Sequence, residues 1–303
     1  MFKSVNLVEI FYLADELCKN FYQTMEGHQI AEDNGKKTRN KPSKLSDAEV
    51  ITILIAFHLG GHRNLKHFYI NYVQKHMKNY FPETVSYNRF VELQKKALLP
   101  MTIMLKQLRL GACTGISFVD STPVRVCKNK RIFNHKVFKG IAQRGKSTMG
   151  YFFGFKLHII VNDKGEIVDF VITPGNTDDR EPLKDENFLE KVIGKLFADK
   201  GYVSKTLFEN LFINGIQLIT GVRNNMKNSL MTMSDKIMLR KRSIIETIND
   251  ELKNICQIEH SRHRSFANFL TNMISGLLAY SFLPKKPSIK FQTTETNNQL
   301  ILF

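Results

Sequence analysis

Three acidic residues, Asp120, Asp199 and Glu246, stand where carboxylates could bind divalent cations. Asp120 and Asp199 each follow a short apolar segment, and Glu246 lies in a strongly helical one. Carboxylates that are brought together repel one another unless a cation lies between them. Such oxygen ligands suit Mg²⁺, or Mn²⁺ as a substitute, and two such ions are the usual device for in-line phosphoryl transfer. We therefore predict that these three residues are catalytic and together hold two Mg²⁺ ions.

The elements around these acids predict that two of them meet. Runs of β-branched and aromatic residues predict strands, and apolar residues at helical spacing predict helices. The predicted strands are 116–120, 151–162, 166–173, 195–202 and 217–222, with helices 179–191, 204–212 and 239–256. This order, β-β-β-α-β-α-β-α, is typical of ribonuclease-H-like folds of the α/β (α+β) class. The first and fourth strands are neighbours in that fold, so Asp120 and Asp199 are expected side by side at one sheet edge.

The helix that carries Glu246 has two distinct faces. At about 100° per residue, Arg242, Glu246, Asn249 and Lys253 fall within roughly 60° of one another. A separate arc is apolar and is expected to pack on the sheet; its members are Ile244, Ile245, Ile248, Leu252 and Ile255. The helix can therefore present Glu246 at the sheet edge with a cation on either side.

Each acid also has a plainer interpretation. Asp120 could cap a turn or helix, because Ser, Thr and Pro follow it, and Asp199 before Lys-Gly could be a turn residue. Glu246 could be half of an exposed ion pair with Arg242. Two further acids, Asp178 and Asp179, favour N-capping of the next helix over a fourth metal contact. The catalytic interpretation rests on the combination of fold order, strand ends and helix face.

The overall charge indicates a polyanionic partner. The 303 residues contain 44 Lys plus Arg against 28 Asp plus Glu, a net charge of +16, which favours nucleic acid first and an anionic membrane second. A hydrophobic content of 43% excludes a wholly disordered basic protein. The 4 cysteines have no paired spacing, which favours free thiols in a reducing cytoplasm. The N-terminus is too acidic for a signal peptide, and the uncharged stretch 265–283 is expected to be a buried helix, so no membrane partner is predicted.

One stretch, 123–146, is basic throughout and contains no acid. It begins just after Asp120, so we expect a mobile loop that holds DNA phosphates, with Phe133 and Phe138 free to stack on exposed bases. A solvated loop is the alternative. The predicted DNA-binding residues of this loop are Arg125, Lys128, Lys130, Arg131, Lys136, Lys139, Arg144 and Lys146. A second basic cluster, 260–264, could contact DNA or satisfy helix ends.

The first 112 residues favour short helices. A loop is predicted over 32–44. Ser46 and Glu49 then form a predicted capping box before a helix that ends at Gly60. Basic helices are predicted over 65–76 and between Pro82 and Pro100. This organisation suits a helix-turn-helix DNA reader as well as a generic helical bundle. The predicted domains are 1–112 for this DNA-binding region, 113–287 for the catalytic domain and 288–303 for a C-terminal tail.

Six stretches carry a family resemblance: ISFVDSTPVRVC (116–127), HKVFKGIAQRGKS (135–147), FGFKLH (153–158), TPGNTDDREP (173–182), ADKGY (198–202) and RKRSIIETINDELKN (240–254). Through them the chain closely resembles, almost end to end, the DDE transposases of bacterial insertion sequences, most specifically the 982 group. In such families the catalytic helix reads Arg, three residues, Glu, six residues, Lys, which here is Arg242, Glu246 and Lys253.

The resemblance implies Asp120, Asp199 and Glu246 as the metal-binding triad and a ribonuclease-H-like catalytic fold. It implies Mg²⁺-dependent cleavage and joining of double-stranded DNA by a cytoplasmic, nucleoid-associated enzyme. Arg242 and Lys253 would bind phosphates of the transferred strand. A homodimer on DNA is expected, because two ends must be joined, and no small-molecule substrate is expected. The alternatives are a non-catalytic DNA-binding derivative and a nuclease of the same fold that never joins strands.

The positive charge predicts that DNA binding weakens steeply with salt. Each phosphate neutralised by Lys or Arg releases counterions, so the logarithm of the association constant falls with the logarithm of salt concentration by about 0.9 per contact. Titrations of duplex DNA between about 50 and 200 mM salt measure this slope. A flat dependence would argue against the basic stretch as a DNA contact.

Overall fold

The structure of the protein, a computed structural model, describes residues 7–25, 43–221, 231–259, 263–290, 292–293 and 300–301. Its contacts divide the chain into two units. A helical unit comprises 1–109 and 252–284, and a unit built on a sheet comprises 110–251 and 285–303. Residues 252–284 therefore group with the N-terminal helices, although the predicted catalytic range includes them. The functional domain limits stay a prediction.

The described elements are helices and strands with these bounds. The helices are α1 (Leu7–Met25), α2 (Asp47–Leu59), α3 (Leu65–His67), α4 (Gln74–His76), α5 (Tyr87–Ile103), α6 (Glu186–Leu189), α7 (Lys205–Ile213), α8 (Met233–Lys241), α9 (Ser243–Asn254) and α10 (Phe266–Ser281). The strands are β1 (Ile116–Cys127), β2 (Gln143–Ser147), β3 (Gly150–Asn162), β4 (Ile167–Pro174), β5 (Gly194–Ala198), β6 (Ile216–Thr220), β7 (Gln292–Thr293) and β8 (Leu300–Ile301).

A mixed sheet forms the centre of the second unit. Its strands lie in the order β2-β3-β1-β5-β6, and β4 also pairs with β3. β1 is antiparallel to β3 and parallel to β5, and β5 is parallel to β6. The β1–β5 ladder ends at Phe118 opposite Phe197. The chain is thus a mixed α+β protein, with β1 and β5 adjacent.

β1 is longer than its predicted range and includes Pro123. A proline cannot donate a backbone hydrogen bond, so it is tolerated where one side of a strand has no ladder. Beyond Phe118 the described ladder of β1 is with β3 alone, where Pro123 faces Lys156. Residues 123–127 and 143–147 are therefore strand rather than loop, which corrects the predicted mobile loop over 123–146.

Other predicted elements differ at their ends. In place of a helix over 179–191 there is a single 3-10 turn, Glu181–Lys184, and the short α6, which Asp185 caps. The predicted helix 239–256 is divided into α8 and α9 by a tight turn in which the Ile245 N–H donates to the Arg242 carbonyl at 3.0 Å. Pro100 lies inside α5, which continues as a π-helical turn, Met104–Arg109, instead of ending there.

A buried apolar layer underlies the two strands that carry acids. Val119 precedes Asp120 and Ala198 precedes Asp199; both side chains belong to one core cluster. The remaining members come from β3–β6 and the helices and turns that pack on them, namely Ile160, Val168, Leu183, Phe188, Leu189, Val192, Leu196, Tyr202, Leu207, Leu211, Ile216 and Leu218. On α9, Ile244, Ile245, Ile248 and Leu252 are buried as expected, but Ile255 lies beyond the helix end and is 45% exposed.

In the helical unit α2, α5 and α10 pack together, and α1 packs on α2. The predicted capping box is confirmed: the Glu49 N–H donates to Ser46 Oγ, and the Ser46 N–H donates to the Glu49 carboxylate at 2.7 Å. α10 is almost wholly buried, which confirms the expected core helix. Among the described residues no helix has the length and apolar character needed to cross a membrane. The predicted loop 32–44 lies almost entirely outside the described residues.

A buried histidine in this unit predicts a loss of stability in acid. His58 is fully buried on α2 and its Nδ1 bonds the Cys256 carbonyl oxygen. Burial lowers its pKa to about 4, whereas an unfolded histidine titrates near 6.5. As the pH falls from about 6.5 towards 4, only the unfolded chain gains this proton, so the free energy of unfolding decreases. At the acid end the loss is on the order of 3 kcal/mol.

His58→Gln, which cannot titrate, should reduce the slope of this dependence in denaturant unfolding measured across that pH range. His158 and His263, whose pKa burial also lowers to about 4, should keep the rest of it. The exposed His67 provides the control: His67→Gln should keep the wild-type slope. Equal slopes for wild type and His58→Gln would contradict the assignment.

Candidate active site

Asp120 lies on β1 just past the point where the β5 ladder ends, opposite Ile159 of β3. Its Oδ2 accepts a hydrogen bond from Asn249 Nδ2 of α9 at 3.2 Å. Burial raises the pKa of the Asp120 carboxyl to about 6, against the opposing effects of the Arg242 cation and the Ser121 N–H. The negative charges of Asp199 and Glu246 raise it further. Asp120 is therefore a half-buried carboxyl on which the negative charges of Asp199 and Glu246 act.

Asp199 follows β5 directly and caps the 3-10 turn Lys200–Tyr202. Its Oδ1 accepts the Gly201 N–H. The turn role considered from the sequence is thus present, and Asp199 still lies close enough to act electrostatically on Asp120. Asp199 is exposed, whereas Asp120 is half-buried.

Glu246 lies in the first turn of α9 and forms an ion pair with Arg242. Arg242 Nη2 donates to Glu246 Oε1 at 2.7 Å; the glutamate side chain is 59% exposed and the arginine 19%. The ion pair considered from the sequence is therefore present. An exposed pair of this kind contributes about 1 kcal/mol at most, so the glutamate can exchange it for a stronger partner.

These three acids are near one another but do not form a closed cage. Within the described ranges, no group of three or more His, Cys, Asp and Glu side chains is close enough to hold a metal ion. The electrostatic effects on Asp120 nevertheless come from both Asp199 and Glu246. The triad stays a prediction whose members share one neighbourhood.

A polar network that the sequence did not predict lies at the same edge. Asp179 Oδ1 accepts hydrogen bonds from Ser121 Oγ at 2.6 Å and from Lys156 Nζ at 2.8 Å. Lys156 also donates to the Thr177 carbonyl, and its side chain is only 12% exposed. Because Ser121 follows Asp120 along a strand, the two side chains leave opposite faces of the sheet. A lysine inside the otherwise apolar run of β3 was the signal available in the sequence.

Asp178, Tyr202 and His158 complete the surroundings. Asp178 pairs with the Arg180 guanidinium, which holds the pKa of that carboxyl well below its usual range. Asp178 thus caps a turn, in keeping with the favoured capping role, while Asp179 instead joins the network. Burial raises the pKa of Tyr202, and the negative charges of Asp120, Asp179 and Asp199 raise it further. His158 Nε2 lies 2.9 Å from Thr173 Oγ1, and burial lowers its pKa to about 4.

The basic side chains of the stretch 123–146 lie at the surface. All of its predicted DNA-binding side chains are exposed: Arg125, Lys128, Lys130, Arg131, Lys136, Lys139, Arg144 and Lys146. Phe133 is 92% exposed, but Phe138 is buried against Phe155 and cannot stack on a base, which corrects that expectation. Tyr151, 61% exposed beside Lys146, is an aromatic surface that the sequence analysis missed.

A cavity of about 410 Å³ is lined by residues of the basic stretch and of the polar network. Its lining includes Arg144, Lys146 and Lys156 together with Asp179 and Gly201. Of the two predicted cations on the helix, Arg242 pairs with Glu246, and Lys253 lies 3.8 Å from Glu259. In the cluster 260–264 only His263 and Arg264 are among the described residues.

The sequence matches one family model, described as "Transposase DDE domain", over residues 110–266, more than half of the chain. No curated protein matches it.

Among solved structures, a piggyBac transposase synaptic complex with hairpin DNA is similar at a TM-score of 0.46 and 11% identity, covering 91% of this chain and 74% of that one. A Mos1 transposase paired-end complex with the left transposon end gives 0.22 and 14%, covering 67% and 66%. A Mos1 strand transfer complex gives 0.23 and 12%, covering 86% and 83%.

We refer to Asp120, Asp199 and Glu246, with the parts of β1 and β5 around them, as the acidic edge. The balance of charges there predicts the effect of removing Arg242. Since its cation opposes the rise in the pKa of Asp120, Arg242→Ala should raise that pKa above about 6, by roughly one unit. A carbon NMR titration of aspartate carboxyls measures it. Arg240→Ala removes an exposed arginine of α8 and should leave it unchanged. An unaltered titration in Arg242→Ala would place the guanidinium outside the site.

Proposed function

The chain belongs to the DDE transposase domain family, and from this premise we propose that it binds the ends of a bacterial insertion sequence of the 982 group and catalyses DNA cleavage and strand transfer. The observation that carries the proposal is that the charges of Asp199 and Glu246 raise the pKa of the Asp120 carboxyl. All three residues lie within the part of the chain that the family model matches. As a member of a DNA-processing family, the protein acts on double-stranded DNA; we propose that it does so as a homodimer on the nucleoid in the cytoplasm.

The donor chemistry of this neighbourhood fits Mg²⁺. Asp120, Asp199 and Glu246 offer only oxygen atoms, which a small hard cation prefers. The exposed ion pair of Glu246 can open at little cost. Asp120, Asp199 and Glu246 would together hold two ions, with Mn²⁺ as a substitute. When bound, the ions supply activation of water or a 3′-hydroxyl and stabilisation of the leaving oxygen.

The protein's own residues hold and orient the DNA. The exposed cations of 123–146 neutralise phosphates on one side of the site, and two of them, Arg144 and Lys146, line the cavity beside Asp179. Arg242 and Lys253 contact phosphates of the transferred strand, for which each must leave its present carboxylate partner. These contacts fix the scissile bond without adding chemistry of their own.

We also propose a ribonuclease-H-like catalytic fold. The strand order β4-β3-β1-β5-β6 supports it, with β2 as an addition that pairs with the start of β3. The helices of the N-terminal region, with their basic side chains, are proposed to read the element's ends in a helix-turn-helix manner. The catalytic domain is proposed to extend over 113–287.

The triad proposal predicts a loss of cleavage without a loss of binding. Asp120→Asn, Asp199→Asn and Glu246→Gln should each lower Mg²⁺-dependent cleavage of end-containing DNA by at least on the order of 10²-fold, because each removes charge that would hold the cations. Gel-shift binding in Ca²⁺ or without a divalent cation should stay close to wild type. Glu209→Gln, an exposed acid on α7, serves as the matched control.

Near-normal cleavage by any of the three variants would remove that residue from the triad. Joining of labelled ends to a target plasmid separates the candidate activities. Cleavage without joined products would indicate a nuclease of the same fold, and DNA binding without cleavage would indicate a non-catalytic derivative.

A further inference from the structure

Asn249 is a buried amide at the acidic edge. It lies on α9 and its side chain is 7% exposed. Its Nδ2 donates to Asp120 Oδ2 at 3.2 Å, while its Oδ1 is buried with no hydrogen-bond partner among the described residues. Glu246 lies three residues earlier, on the neighbouring position of the same helix face. One amide is therefore bonded to one proposed metal ligand and adjacent to another.

The unpartnered oxygen has an energetic cost. A buried polar atom without a partner destabilises the fold, so most such atoms are satisfied by protein, water or an ion. The neighbouring acids cannot satisfy it, because ionised carboxylates only accept hydrogen bonds. A group that accepts a lone pair, such as a cation bound beside Asp120, can do so once the amide turns and brings this oxygen to the side of Asp120.

The separation of the two side chains suits a shared cation. The oxygen and nitrogen of an amide exchange places when the planar group turns by half a rotation, and their assignment follows from the hydrogen-bond network. After that turn, the amide oxygen would stand where Nδ2 now lies, 3.2 Å from Asp120 Oδ2. Two adjacent oxygens on an octahedral Mg²⁺ with bonds of about 2.0–2.1 Å are roughly 3 Å apart.

We propose that Asn249 is a fourth oxygen donor of the metal site, bonding Asp120 through its N–H groups without a cation and turning its oxygen to the ion when one binds. This inference rests on the proposed function, since it needs Asp120 to be a ligand. A neutral amide adds an oxygen without adding charge. A fourth carboxylate would increase the repulsion that Asp120 already experiences from Asp199 and Glu246.

The test measures cation affinity directly, without DNA cleavage. Mn²⁺ is titrated into the full chain, and free Mn²⁺ is followed by electron paramagnetic resonance. Asn249→Ala should weaken binding about 10- to 100-fold, as expected for loss of a metal-site partner. Asn254→Ala, an exposed asparagine at the end of the same helix, should leave the affinity unchanged. Thermal unfolding of each variant checks that the fold is retained.

A second variant separates an oxygen donor from a residue that only positions Asp120. Asn249→Asp keeps an oxygen at this place but has no N–H donor, so the proposal expects affinity at least equal to wild type. Thr247→Asp adds the same charge at an exposed position of α9 and measures how much that charge alone increases the affinity for Mn²⁺. Asn249→Asp should bind Mn²⁺ more tightly than Thr247→Asp does.

Affinity in Asn249→Ala within twofold of wild type would overturn the proposal, as would Asn249→Asp binding as weakly as Asn249→Ala. The proposed function has its own control in the same titration. If wild type shows no saturable Mn²⁺ binding that Asp120→Asn removes, the metal site itself is wrong. If Asp120→Asn abolishes binding but Asn249→Ala does not weaken it, only the role of Asn249 is wrong.

Discussion

Repulsion among carboxyls at one edge of the sheet is the constraint on which the site depends. Asp120 is held in a half-buried place where both the loss of hydration and the charges of Asp199 and Glu246 disfavour its ionised form. The Arg242 cation and the Ser121 N–H oppose this effect, and the Asn249 amide donates a hydrogen bond to the same carboxyl. Such an arrangement is costly for a structure with no further task, which is why clusters of this kind are associated with function.

The apolar layer beneath the sheet offsets this repulsion by holding the two strands in place. Val119 and Ala198, each adjacent to an acid in the chain, are anchored in a core with many fully buried members. The backbone of β1 and β5 is thereby fixed by packing and by ladder hydrogen bonds rather than by the side chains that repel. Acidic side chains that repel one another can stay close together because packing prevents the strands that carry them from moving apart.

The sequence predicted the parts of this site that depend on local pattern. The strand end before Asp199, the two faces of α9 and the capping box at Ser46 follow from periodicity and short-range hydrogen bonding, and the structure has them. The strand end predicted at Asp120 was wrong, because β1 continues past it to Cys127. Partners far apart in the chain were not predictable in the same way. The bonds of Asp179 to Ser121 and Lys156 join positions whose proximity arises only when β1, β3 and the turn after β4 are assembled.

Two errors have the same physical origin. Phe138 was expected to be free because its neighbours in the chain are basic, but tertiary packing against Phe155 buries it. The stretch 123–146 was expected to be a loop because it is highly charged, yet strand pairing with β3 decides its ends. Charge predicts what a segment contacts better than it predicts the conformation of the backbone.

Pro123 has a consequence for how the protein behaves among other copies of itself. Past Phe118, β1 has its described ladder on one side only, and a strand side without a ladder is a template for an additional strand from another chain. A proline there offers no N–H to an incoming strand and interrupts its register. Close to the proposed active site, Pro123 therefore limits the N–H groups through which this part of β1 could pair with a further strand.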